Sequence, residues 1–409
     1  MKFFFPDAQD VIYPGYDFIT DEYPPHRVRQ RDDRYAHEVL DPLPYDGMLI
    51  SKAIIDGVGS SVGKYSQAQR DRLYRRGARS FFRLPAPLSL LGDNGAFSYV
   101  KEDVPPVTVN EVLDFYENCE CDAGISIDHL ILDFEPDATL FDANPDWIRR
   151  RTITLDFAAK FKDEVERRRS PIEPIGAAQG WSPDSYADSV VELQNMGYRH
   201  IGLGGLVPLK TPAILRILDA VSPILKPDTK LHLLGVARPD VMEQFAARGV
   251  TSFDSTSPFR QAFMDDRKNY HTPDTAYVAL RVPQVDGNAR LKRRILAGEI
   301  DQRQAVALEQ KCLRQLRAFD AGHITVSEVL DTLHRYEQLT EPDKNSYLAA
   351  YERTLTDRPW QSCKCAMCRQ HGVDIVIFRG TERNKRRGFH NLANLGAQVP
   401  DRPKHRRTP

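Results

Sequence analysis

Between residues 109 and 254 the chain repeats one unit: an amphipathic stretch, a turn, then a short apolar run that ends on a polar residue or a glycine. Helical patterns at 109–118, 149–168, 182–196, 211–221 and 241–248 lead in turn into strand-like runs at 124–132, 174–179, 200–206, 230–236 and 250–254. Connections this short make consecutive strands parallel, with each helix crossing back over the sheet. Alternation at this spacing predicts a (β/α)8 TIM barrel, an α/β fold, with an open doubly wound sheet as the alternative. No glycine-rich phosphate loop follows the first strand, which weighs against the open sheet. A chain of 409 residues holds one barrel of about 250 residues with additions to spare.

The additions fall at both ends. Residues 1–46, rich in Pro, Tyr, Asp and Arg with little periodicity, read as an N-terminal arm packed on the barrel, whose core is expected over 47–284. Further strands are expected at 48–55, 78–84 and 88–93. Residues 285–357 break the alternation: Ala305, Leu308, Cys312, Leu316 and Phe319 form a helical stripe, and Thr325 with Glu328 opens a second helix as a capping box. This predicts a helical insertion. A segment over 358–395 that carries three closely spaced cysteines and a basic tail over 396–409 complete the chain.

Strand ends are where barrels gather their chemistry. Here they offer Asp93, Asp128, Gln179, the pair Gly204-Gly205, and Asp254. Taken singly, each has a plain structural reading: Asp254 as a helix N-cap, the others as residues that tie down turns. Taken together, they suit a purine. A carboxylate accepts from guanine N1 and N2, while Gln179 and the Gly205 N–H donate to O6, and Phe97 and Leu234 can sandwich the ring. Two carboxylates then remain, one to attack an anomeric carbon and one to carry a proton to and from the leaving base.

Cys363-Lys364-Cys365-Ala366-Met367-Cys368 crowds three thiols too closely for three separate disulfides, and metal ligation is the stronger reading. A closed tetrahedral site needs one more donor, and on spacing alone both His371 and His390 qualify. Cys119, Cys121 and Cys312 read as ordinary buried thiols. The net charge of -1 excludes a polycation, yet nine Lys/Arg against two acids crowd residues 379–409, a candidate phosphate-binding surface or a solvated tail. Arg149-Arg150-Arg151 and Arg167-Arg168-Arg169 divide between the same two readings. With no run of about 18 apolar residues and no targeting signal, a cytoplasmic protein without membrane contact is expected.

Asp93-Asn94-Gly95-Ala96-Phe97, Gln179-Gly180, Gly204-Gly205-Leu206 and Phe253-Asp254, in this order, followed by Cys-x-Cys-x-x-Cys and a later His, resemble the tRNA-guanine transglycosylase family. That resemblance covers about 47–260 and 360–395. It implies Asp254 as nucleophile, Asp93 as general acid/base, Asp128, Gln179 and Gly205 as readers of the base, Phe97 as the stacking ring, and a structural zinc on Cys363, Cys365, Cys368 and His390. The chain departs from the family at Asn94 and Ala96, and at Val207-Pro208-Leu209-Lys210, where the family runs toward a Glu. The N-terminal segment, Tyr45-Asp46-Gly47 and the long insertion look instead like the family's DNA-modifying branch. By that resemblance the chain exchanges guanine in DNA for a 7-deazaguanine such as 7-cyano-7-deazaguanine, within a DNA modification and restriction system. A duplex-opening ATPase as partner and a homodimeric state both stay open. The competing readings are a tRNA-directed transglycosylase and a catalytically silent nucleic-acid-binding partner.

Overall fold

The computed structural model describes residues 1–139, 141–342 and 346–402. The chain divides into two compact units, one made of Met1–Gln9, Tyr45–Thr256 and Gln398–Pro409, the other of Asp10–Pro44 and Ser257–Ala397.

In the first unit, eight strands close into a barrel: β1 (Lys2–Pro6), β2 (Gly47–Ser51), β3 (Ser89–Asp93), β4 (Ala123–Ile125), β5 (Glu173–Ala178), β6 (His200–Leu203), β7 (Lys230–Leu233) and β8 (Val250–Asp254). Their order around the barrel is their order in the chain, every neighbouring pair is parallel, and β8 closes onto β1 with Phe3 opposite Phe253 and Phe4 opposite Asp254. Phe4, Leu49, Leu91, Ile125, Ile175 and Ala177 form one buried cluster, drawn from five neighbouring strands. The expected TIM barrel is present.

Helices α1 (Val109–Asn118), α2 (Pro145–Arg168), α3 (Pro183–Asn195), α4 (Thr211–Val221) and α5 (Met242–Ala246) connect the later strands. Their starts are written locally: Thr108 and Glu111 form a capping box on α1, and Pro145 and Pro183 occupy first turns, where a missing N–H costs nothing. One contact shows how sequence fixes helix against sheet. Tyr116 of α1 lies over Gly92 of β3 and Gly124 of β4, where an added Cβ at either glycine would collide with its ring, and its hydroxyl donates to the Ile125 carbonyl at 2.7 Å. Burying that ring stabilises the packing by about 2–3 kcal/mol.

Three expectations change. The strand expected at 48–55 ends at Ser51, and Lys52–Ile55 turn as a short helix. The strand expected at 78–84 is a helix, Ala78–Phe82, ended by Arg83 in the left-handed region; an apolar pair such as Phe81-Phe82, both buried, serves either element equally well. The barrel instead takes its first strand from within the expected N-terminal arm. Phe3, Phe4 and Phe5 are all buried, and five residues suffice for a barrel strand. Residues 10–44 of that arm group with the second unit, as do residues 257–284.

In the second unit, α6 (Gln302–Asp320) and α7 (Val326–Thr340) form the expected helical pair, with Thr325 and Glu328 making the capping box. A further helix, α8 (Gly380–Gln398), as long as α6, carries His390 and buries Arg383, Arg386 and Arg387.

Candidate active site

Asp93 ends β3, Asp254 ends β8, and Asp128 follows β4 by three residues; all parallel strands point the same way, so the three acids share the barrel's C-terminal mouth. Asp128 and Asp254 are buried and Asp93 is partly so. Burial, then the charges of Asp128 and Asp254, push the Asp93 carboxyl from its ordinary 3.8 up to about 7. Burial also raises Asp128, to about 6, against hydrogen bonds from Gln179 and Asn94 that favour its charged form. Carboxyls crowded this way are held apart in protonation, the condition for one to carry a proton while another stays charged.

Asp254 Oδ1 accepts the Gly235 N–H at 2.9 Å and lies 3.2 Å from His232 Nε2. Asp128 is held on both oxygens, by Gln179 Nε2 on Oδ2 at 2.7 Å and by Asn94 Nδ2 on Oδ1 at 3.4 Å. Tyr99 braces this side: its hydroxyl donates to Asn94 Oδ1 and lies 3.2 Å from the Asp128 carbonyl. Gln179 has no freedom to turn, because its Oε1 accepts the Ile131 N–H at 3.2 Å. Gly204 and Gly205 form a floor without side chains beside this pair. A Cβ on Gly204 would strike Gln179 Nε2, and one on Gly205, whose φ is +72°, would strike the Ile131 carbonyl. Phe97 is 56% exposed, and Leu234 packs half-buried against the barrel's inner cluster.

The structure therefore brings together Asp93, Asp128, Gln179, Gly204, Gly205 and Asp254 on one barrel face. Sequence reasoning missed His232, Asn94 as a brace, and Tyr99. A histidine inside the apolar run Leu231-His232-Leu233, with Ser252 and Asp254 two apart on the next strand, was the available signal.

The second unit carries a different cluster. Cys363, Cys365, Cys368 and His390 place their ligand atoms within 4.8 Å of one another, and this set can hold a metal ion. The three Sγ atoms lie 3.5, 3.4 and 3.3 Å from His390 Nδ1. Roughly 3.5 Å is the edge of a tetrahedron with metal bonds of about 2.3 Å to sulfur and 2.0 Å to nitrogen, so the donors fit zinc. His390 Nε2 sits 2.7 Å from the His271 carbonyl, which leaves Nδ1 to face the thiols. His371, the alternative donor, accepts from Arg386 Nε at 3.1 Å, and burial followed by the Arg386 charge lowers it to about 4.

Most of the basic residues expected to hold phosphates are paired within the protein, Arg169 being exposed. Arg379 pairs with Asp21 and Glu309, Arg383 with Asp21 and Asp374, and Arg386 with Glu382; the arginines and both glutamates are buried, and Asp21 and Asp374 are partly so. Arg387, fully buried, donates to the carbonyls of Ala262, Ile375 and Ile377. These cations are core, because a buried guanidinium must spend its donors inside the unit. Arg149 and Arg150 pair with Asp146, Arg151 with Glu192, Arg167 with Glu164, and Arg168 with Asp114, Glu117 and Glu164. Of the tail, Arg402 pairs with Asp46, and residues 403–409 lie outside the described residues. Among the described residues no helix is long and apolar enough to cross a membrane.

A model of the queuine tRNA-ribosyltransferase family matches residues 97–297. A DNA-guanine transglycosylase of Salmonella montevideo is 48% identical over 97% of this chain and 95% of its own length. A queuine tRNA-ribosyltransferase of Shewanella denitrificans is 32% identical over 31% of this chain and 34% of its own, and one of Shewanella frigidimarina is 31% identical over the same shares. The matched segment begins at Phe97 and includes Asp128, Gln179, Gly204-Gly205 and Asp254. With the barrel and its acidic mouth already described, this likeness over nearly the whole chain leads to one conclusion: the chain belongs to the queuine tRNA-ribosyltransferase, or tRNA-guanine transglycosylase, family of base-exchanging enzymes.

Proposed function

We propose that the protein is a DNA-guanine transglycosylase that exchanges guanine in DNA for a 7-deazaguanine through a covalent aspartyl-deoxyribose intermediate. One observation carries the chemistry: three carboxyls share the barrel mouth, one of them raised to about 7 while another is held by two donors on one oxygen. Asp254 Oδ2 attacks C1′ of the target nucleotide as the C1′–N9 bond breaks, and the departing guanine takes the Asp93 proton. The incoming 7-deazaguanine returns a proton to Asp93, its N9 bonds to C1′, and the ester to Asp254 breaks, restoring the carboxylate. Two displacements at C1′ retain its configuration. Asp128, Gln179 and the Gly204-Gly205 floor read the base, with Phe97 and Leu234 on its faces. DNA rather than tRNA is supported by the likeness, over nearly the whole of both chains, to the Salmonella protein, which is named for that activity.

A stacked base hides C1′, so the nucleotide must be flipped or the duplex opened, by this chain or by an ATP-using partner. The Cys363, Cys365, Cys368 and His390 set would hold a structural zinc: four protein donors leave no open position for a reacting group.

The test incubates the protein with labelled guanine or 7-cyano-7-deazaguanine and, side by side, double-stranded DNA, single-stranded DNA and tRNA. Label entering DNA and not tRNA is expected, with a DNA adduct trapped on the native protein and absent from Asp254→Asn. Label entering only tRNA would transfer the reading to a tRNA-directed enzyme.

A further inference from the structure

His232 on β7 belongs to neither the set of acids nor the base pocket. It is fully buried inside the barrel, where a polar ring needs a reason. Its Nδ1 lies 2.8 Å from Ser252 Oγ and its Nε2 lies 3.2 Å from Asp254 Oδ1, so the ring spans two residues of the neighbouring strand. Phe4 meets it edge-on at 5.9 Å and the His200 ring stands 6.3 Å away, which closes the space around it. The Gly235 N–H donates to the same Oδ1, while among the described residues Oδ2 receives no hydrogen bond.

We propose that His232 is the positioning residue of the nucleophile: held by Ser252, it fixes Asp254 Oδ1 and thereby presents Oδ2 to the sugar. The inference rests on the reading of Asp254 as the nucleophile. A Ser252 hydroxyl donating to Nδ1 leaves the ring hydrogen on Nε2, so the second partner sets which nitrogen donates. Two donors on Oδ1, one from a barrel strand and one from backbone, stop the carboxylate from rotating. When Oδ2 bonds to C1′ and the C1′–N9 bond breaks, Oδ1 becomes the ester carbonyl and keeps both donors. In the second displacement the ester bond breaks, and the same donors receive the returning negative charge. His232 gives up no proton in either step.

The experiment uses the full chain with its metal bound and measures the single-turnover rate of covalent DNA adduct formation, normalised to the adduct-competent fraction. His232→Phe keeps the ring and removes the donor; it should slow adduct formation by about 10²-fold and leave the KM for DNA within about threefold. His232→Gln restores an N–H near the Nε2 position and should recover to within about tenfold of native. A merely structural role would reduce the folded fraction without this split or this rescue. Should His232→Phe prove insoluble, Ser252→Ala keeps the donor ring but frees its tautomer, with a loss of about three- to tenfold expected. A His232→Phe or Ser252→Ala rate equal to native, or a His232→Gln rate as low as His232→Phe, would overturn the proposal. Absence of any adduct on the native protein would instead remove the reading of Asp254, and this inference with it.

Discussion

Both units bury charge, and they settle the cost in opposite ways. In the second unit Arg379, Arg383 and Arg386 each face a carboxylate across a short contact, and Arg387 is met by backbone carbonyls. At the barrel mouth Asp93, Asp128 and Asp254 face one another, and among the described residues no arginine or lysine pairs with any of them. Compensated burial is what a core demands, since a guanidinium without partners in a dry interior costs several kcal/mol. Like charges left together cost stability, and they persist where a raised proton affinity is put to use. The contrast teaches that an arginine-rich sequence segment says little about nucleic acid until the acids that answer it are known.

The comparison can be broken at several points. Asp93→Asn removes the proton carrier and should lower base exchange by about 10³-fold, read as label incorporated per minute. Removing compensation from the second unit gives the opposite signature: Arg383→Ala takes one partner each from Asp21 and Asp374, which keep Arg379 and Arg317, and should cost about 1–3 kcal/mol in chemical denaturation. Gly204→Ala drives Gln179 off Asp128; about 10²-fold should be lost from kcat/KM for the base, with a stability loss of only about 1–3 kcal/mol.

The finest test is pH. With its proton lost as pH rises through about 7, Asp93 cannot serve the leaving guanine, and the adduct-forming rate should fall about tenfold per unit above that. Stability follows with a defined sign. A carboxyl whose folded pKa lies above its ordinary 3.8 binds protons more tightly in the folded chain, so the barrel should lose stability between about pH 4 and 7. Asp93→Asn should flatten that slope, and in thermal unfolding at pH 8 it should gain roughly 2 °C over the native chain. An unchanged slope would show that Asp93 does not hold its proton more tightly in the folded barrel than in the unfolded chain.

Much of this was legible beforehand because it is local. The 3.6-residue periodicity with caps at Thr108 and Thr325 wrote the helices, and acids or glycines at strand ends wrote the mouth. What escaped reading depends on distant partners. Phe3-Phe4-Phe5 has no strand signature until β2 and β8 flank it, and Phe81-Phe82 reads as strand until its neighbours wind it into a helix. Arg383 and Arg386 look like a phosphate patch because Asp21 and Asp374 answer one and the other's partner, Glu382, hides in the same basic run. Asn94 stands in the first site motif, yet its bracing of Asp128, 34 positions further on, shows only when the chain between them is folded.

Closure of the barrel by β1 against β8 has a bearing on synthesis. The aromatic strand leaves the ribosome before the other strands of the barrel, while the strand that must cover one of its edges follows roughly 250 residues later, tens of seconds at ordinary elongation rates. Through that interval a sticky edge waits unpaired, and the nascent chain is at its most vulnerable to chaperone shortage, heat and crowding with its own siblings.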